Sequence, residues 1–140
     1  MTTAIDTNVI AALWQSDPTL SLPAQHSLDA ALQIGGLVVC APVYSELLAF
    51  RGRDEVSLDE FFADTGVLID WNLSESMWRV AGLANQRYAE RRRKHGESGP
   101  RRILADFLIG AHALDRDYQL LTADDRFYRI AFPRLRVVRV

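Results

Sequence analysis

Apolar residues recur along the chain in two rhythms, short continuous runs and helical stripes, and the two alternate from end to end. Thr2 to Ile5 is short and β-prone, and Val9, Ile10, Leu13 and Trp14 then follow helical spacing up to a stop at Asp17-Pro18. Pro23 suits the first turn of the next helix, with Leu28, Ala31 and Leu32 as its stripe and Gly35-Gly36 as its end. Leu37 to Ala41 is apolar throughout, as expected of a parallel strand covered on both faces. Pro42 starts a helix carrying Val43, Glu46, Leu47, Leu48 and Phe50. Ser57-Leu58-Asp59-Glu60 has the spacing of a capping box, and the helix it predicts ends near Gly66. Val67 to Ile69 is the third strand. Ser74 can cap a long helix with Met77, Val80, Ala81, Ala84 and Tyr88 on one face, broken at Gly96, Gly99 and Pro100. Arg136 to Arg139 forms a last edge strand, its arginines guarding against further pairing. Strands separated by helices throughout predict one α/β domain over residues 1–140, with a parallel sheet between two helical layers.

The stretch Ile103 to Phe127 breaks the usual rule that polarity marks the outside. Ile103, Leu104, Phe107, Leu108, Ile109, Ala111 and Leu114 put apolar groups nearly all round a helix, which predicts its burial. Asp106 nevertheless sits in the first turns. A buried carboxylate is costly unless it is paired or binds a metal. Gln119 to Thr122 is then a fourth strand, with Asp124 just beyond it.

Composition changes this picture little, and charge distribution changes it more. The 140 residues are 49% hydrophobic and 24% charged, with a net charge of −2, so the molecule as a whole is no polyanion binder. Arg87 to Arg102, however, carries Arg87, Arg91, Arg92, Arg93, Lys94, Arg101 and Arg102 against Glu90 and Glu97. That segment is +5 and the remainder −7, the pattern of a basic lip beside an acidic pocket. The alternative is a solvated helix end. The one cysteine, Cys40, falls in an apolar run and reads as a core thiol. A lone thiol fits a reducing cytoplasm, and neither a leader peptide nor a membrane span is expected.

Four acids fall where a parallel sheet could gather them: Asp6, Glu46, Asp106 and Asp124. Singly, each has a plain explanation as a cap, an exposed helix residue or a turn. Asp6, Glu46 and Asp106, though, are flanked by apolar neighbours. Two carboxylates about 4 Å apart repel by ~4 kcal/mol at an effective dielectric near 20, so a cluster calls for a divalent cation. Oxygen ligands suit Mg²⁺ or Mn²⁺ and not zinc. His26, His95 and His112 have no ligand spacing, and His112 reads as a packing group or a support to the site. The expected reaction is phosphodiester hydrolysis by an activated water. A haloacid dehalogenase-type phosphatase would need Asp where Asn8 stands, and no phosphate-binding Gly-x-x-x-x-Gly-Lys loop is present.

Asp6-Thr7-Asn8, Glu46, the helix Asp106-Phe107-Leu108-Ile109-Gly110-Ala111-His112-Ala113 and Thr122-x-Asp124-x-x-Phe127 resemble, in order, the motifs of the PIN-domain ribonucleases. The compact length resembles the VapC-type toxins of toxin–antitoxin pairs. The resemblance implies a PIN-like three-layer α/β/α sandwich with a mainly parallel sheet. It implies Mg²⁺ or Mn²⁺ held by Asp6, Asp106 and Asp124, with Glu46 as a fourth catalytic acid. Asn8 and Thr122 carry over as groups that orient carboxylates or water. RNA is the implied substrate and a small antitoxin the implied partner. Arg91, Arg92, Arg93, Arg101 and Arg102 are assigned to RNA on charge alone. Asp125 competes with Asp124 as the ligand. Trp71, Trp78 and the long helix offer surface for a homodimer. The remaining alternatives are a PIN-like nuclease with a processing role and a binding module that no longer turns over.

Overall fold

The computed structural model describes residues 1–96 and 102–140, and in it five strands form one wholly parallel sheet in the order β3-β2-β1-β4-β5. The strands are β1 (Thr3–Ile5), β2 (Leu37–Cys40), β3 (Leu68–Asp70), β4 (Gln119–Thr122) and β5 (Val137–Arg139). The helices are α1 (Thr7–Leu13), α2 (Pro18–Ile34), α3 (Ala41–Leu48), α4 (Glu55–Thr65), α5 (Glu75–His95), α6 (Leu104–Asp115) and α7 (Asp125–Ala131). This is the three-layer sandwich predicted.

β1 lies at the centre, with Thr3 beside both Leu37 and Gln119 and Ile5 beside Leu121. Its neighbours Val38, Val39, Leu120 and Leu121 are buried, which explains the unbroken apolar runs. The two edges read differently. Leu68 of β3 is 68% exposed, and on β5 Arg139 pairs with Asp125. α6 is buried along Phe107 to Ala113, as its all-round apolar character requires. Gly110 allows a close approach there: a Cβ on it would meet the Phe132 ring at 2.2 Å, so the ring would have to shift.

Two helix starts differ from the sequence expectation. α2 begins at Pro18 and not at Pro23, because the Asp17 carboxylate accepts the Thr19 N–H (2.9 Å) and hydroxyl (2.8 Å) and so caps the helix one turn earlier. Pro23 falls inside the helix, and Leu32 points outward. α4 is opened by Asp54 and not by Ser57. Asp54 accepts the Ser57 N–H at 2.8 Å while Ser57 Oγ accepts the Asp54 N–H at 3.1 Å, so the capping box exists but is set three residues back. Three helix boundaries hold: Gly66 ends α4 at φ 71°, Ser74 Oγ caps α5, and Gly96 ends α5 at φ 59°. The third strand is shifted by one residue, to Leu68–Asp70. Gly99 and Pro100 lie outside the described residues. Among the described residues no helix is long and apolar enough to cross a membrane.

Candidate active site

The sheet dictates where a site can form. β2 and β3 lie on one side of β1, β4 and β5 on the other, so the strand order reverses between β1 and β4. Ligands of open α/β sheets bind outside the carboxyl ends of the strands at that reversal. Asp6 follows β1 and Asp124 follows β4.

Both residues occupy helix N-cap positions, and neither carboxylate caps its helix. Asp6 instead accepts a hydrogen bond from Thr122 Oγ1 at 2.8 Å. The same hydroxyl accepts the Asp124 N–H at 2.9 Å and lies 3.5 Å from Asn8 Nδ2. Asn8 Oδ1 accepts the Ala123 N–H at 3.1 Å. Thr122 and Asn8 therefore tie the end of β1 to the end of β4 and fix the direction of Asp6. Asp6 is almost fully buried, and burial pushes its pKa up to about 6 against the pull of the Thr122 hydrogen bond; the nearby charge of Asp106 adds to the rise.

Glu46 is supplied by α3 and held by Thr7, whose hydroxyl donates to Glu46 Oε1 at 2.6 Å. Asp106 comes from the first turn of α6. Burial raises its pKa above the usual carboxylate range. The Arg102 charge opposes the rise, and those of Glu46 and Asp124 add to it. Asp6, Thr7, Asn8, Glu46 and Asp106, with Ala11, Ala49 and Phe50, line one open cleft of about 430 Å³. Three of the four predicted acids thus share a cleft.

Asp124 faces a second cleft, about 400 Å³, with Tyr88, Arg91, Arg102, Arg126, Phe127 and Ile130. Arg102 bonds the Asp124 carboxylate at 2.5 Å, stands 3.9 Å from Asp106 Oδ2, and stacks over the Phe127 ring at 4.3 Å. Asp125 turns elsewhere, to Arg129 at 3.4 Å and Arg139 at 3.6 Å. Among the described residues no three His, Cys, Asp or Glu groups stand close enough to hold one metal ion in this conformation. The donor chemistry nevertheless fits a hard divalent cation. The groups are carboxylates only, and the raised proton affinity of Asp6 and Asp106 reports negative charge crowded out of water.

The basic segment lies alongside. Arg92 and Arg93 line a groove with Asn85, Tyr88, Ala89 and Arg102, and Arg91 lines the second cleft. Arg101 lies outside the described residues. His112 is a packing group: it is buried, its Nε2 lies 3.0 Å from Asp70 Oδ2, and burial lowers its pKa. Cys40 is a core thiol whose pKa burial pushes up to about 12.

Sequence reasoning missed two residues, Thr7 and Tyr128. Thr7 orients Glu46, although a Thr after a strand-end Asp carries no distinguishing signal. Arg102, assigned to RNA on charge and spaced four residues ahead of Asp106, is paired with the acids in the structure. Tyr128 is wholly buried with its hydroxyl beside Asp6, and burial together with the charges of Asp6 and Asp106 drives its pKa upward. On sequence it is one more core aromatic.

The PIN domain profile matches residues 3–133. No curated protein matches the chain. Among solved structures, the chain is similar to one in VapBC2 from Rickettsia felis bound to a promoter DNA fragment, at TM-score 0.66 and 18% identity, covering 99% of this chain and 98% of that one. VapBC-1 from nontypeable Haemophilus influenzae gives TM-score 0.65 at 21% identity, with 99% and 98% covered. FitAcB from Neisseria gonorrhoeae gives 0.64 at 20%, with 96% and 95% covered.

Proposed function

As the chain belongs to the PIN domain family, we propose that it is a metal-dependent endoribonuclease toxin of the VapC kind, restrained by a small cognate antitoxin. The observation that carries the catalytic part is the shared cleft. Asp6, Glu46 and Asp106 line it at the strand-order reversal, and the first has its pKa raised to about 6. Asp6, Asp106 and Asp124 hold Mg²⁺ or Mn²⁺ in this reading. The cation supplies Lewis acidity, lowering the pKa of a water and stabilising charge on phosphoryl oxygen. Glu46, aimed by the Thr7 hydroxyl, accepts the proton of the attacking water. Thr122 and Asn8 keep Asp6 directed into the cleft. Arg91, Arg92 and Arg93 draw the RNA backbone toward it, with Arg101 continuing the basic segment in sequence.

The antitoxin is supported by the assemblies this chain resembles, which are VapBC and FitAB complexes, two of them bound to DNA. A homodimer is supported by Trp71 and Trp78, 59% and 48% exposed. The cytoplasm is the compartment that holds both RNA and a reduced Cys40. The test is cleavage of a structured RNA by the purified protein in Mn²⁺, in Mg²⁺ and in excess EDTA. Cutting confined to the metal-containing reactions and absent from Asp6→Asn supports the reading. Cutting that persists in EDTA sinks it.

A further inference from the structure

Arg102 occupies the place that the nuclease reading gives to a cation. Its guanidinium bonds Asp124 Oδ2 and stands 3.9 Å from Asp106 Oδ2, so the two carboxylates share one positive charge supplied by the chain itself. The position is built, because the guanidinium lies 4.3 Å from the Phe127 ring centre and the side chain is only 33% exposed. It is also near in sequence: Arg102 lies just before the Ile103 N-cap of α6, four residues ahead of Asp106. With Arg102 in place, Asp124 faces the second cleft and not the one lined by Asp6, Glu46 and Asp106.

We propose that Arg102 is an internal counter-ion that competes with a divalent cation for Asp106 and Asp124, and so sets the metal affinity of the site. The inference rests on the nuclease reading for the identity of the competitor. A guanidinium and a divalent ion on the same carboxylates compete, because the guanidinium draws on the oxygens the metal would bind and the two cations repel. Metal entry therefore favours the release of Arg102 from Asp124. The released guanidinium, beside Arg91 and Arg126 in the second cleft, becomes a phosphate-binding group. Arg102 thus serves RNA once metal is bound.

The experiment is calorimetric titration of Mn²⁺ alone into the full chain, with no RNA. Arg102→Ala is expected to bind about tenfold more tightly than the unsubstituted protein, because a competing charge is gone. Arg102→Gln keeps the stem over Phe127 and is expected to do the same, which guards against a folding defect in the alanine variant. Arg126→Ala removes an equal charge from the same cleft and is expected to stay within about twofold. Equal Mn²⁺ affinity in the unsubstituted protein and both Arg102 variants overturns the inference and leaves the nuclease reading standing. No Mn²⁺ binding by any of them overturns both.

Discussion

The Thr122 hydroxyl donates to Asp6 Oδ2 at 2.8 Å, and both residues are buried. One strand end thereby sets the ionisation of the other, since this bond opposes the effect of burial on Asp6. Thr122→Val keeps the shape and deletes the donor. Asp6 is then left as a buried acceptor with less support, at a cost of about 1–3 kcal/mol, and its pKa rises further. Urea melts at pH 7.5 in EDTA are expected to show that loss. Thr122→Ser, which restores the hydroxyl, is expected to recover most of both stability and RNA cleavage. A Val variant as stable and active as the parent would show that the bond contributes nothing.

Asp6 also gives the metal-free protein a characteristic pH dependence. Its folded pKa, raised to about 6, lies above the unfolded value near 3.8, so the folded state binds more protons between those pH values. Stability contributed by this group is present below about pH 4 and is lost as pH rises through 6. The shift corresponds to roughly 3 kcal/mol at one unit per 1.36 kcal/mol. Asp6→Asn removes the titration. The stability difference between variant and parent in EDTA is expected to grow in the variant's favour from pH 4 to pH 7. A difference independent of pH would rule out a raised Asp6.

How much of this was legible follows from where each signal lives. The parallel α/β class needs only short apolar runs separated by helices, and these are explicit in Leu37–Cys40 and Gln119–Thr122, whereas the strand order is set by pairings across the fold. The shared cleft of Asp6, Glu46 and Asp106 was readable because each acid interrupts an apolar context. Helix starts were less legible, since Asp17 and Asp54 compete with Pro23 and Ser57 as start signals and the winning carboxylate shows only in its hydrogen bonds. Arg102 could be read in part, since it stands four residues ahead of Asp106 and their spacing allows an ion pair, but its shorter bond to Asp124 crosses the fold. The place of Tyr128 beside Asp6 could not be read, because no local spacing encodes it.

Gly110 tests the packing beneath the site. It lies on α6, four residues beyond Asp106, with the Phe132 ring filling the space of a Cβ. Gly110→Ala would ordinarily favour a helix, by about 1 kcal/mol. Here the methyl forces the buried ring aside, and overpacking of this kind costs about 1–3 kcal/mol. The net expectation is a lowered thermal midpoint, and Phe132→Leu in the same chain is expected to relieve part of it. An alanine variant that melts higher than the parent would contradict the close approach.

The basic segment makes a prediction readable in salt. Arg91, Arg92 and Arg93 line the groove and cleft beside the acids, and each phosphate they neutralise releases counterions. Replacing all three by Ala is expected to weaken RNA binding and to lower the slope of log affinity against log salt by about 0.7 per lost contact on a single strand. Binding measured in EDTA by fluorescence anisotropy separates this from catalysis. An unchanged affinity and slope would make the segment a solvated surface or a protein-binding site.

Asp106 separates catalysis from architecture. Its raised pKa means that the ionised form is held at a cost in the metal-free protein, and the contact that offsets this cost, Arg102 at 3.9 Å, is long. Arg102 keeps its shorter bond to Asp124 when the Asp106 charge is removed. Asp106→Asn is therefore expected to leave stability in EDTA unchanged or raised, as at sites where function is held against stability. It is expected to abolish RNA cleavage in Mn²⁺. Were Asp106 primarily a structural ion-pair partner, losing its charge would strand Arg102 and destabilise by roughly 3–5 kcal/mol. Denaturant melts of both proteins in EDTA, paired with a cleavage assay in Mn²⁺, read the two roles independently. A variant that is much less stable yet still cuts RNA would remove Asp106 from the catalytic set.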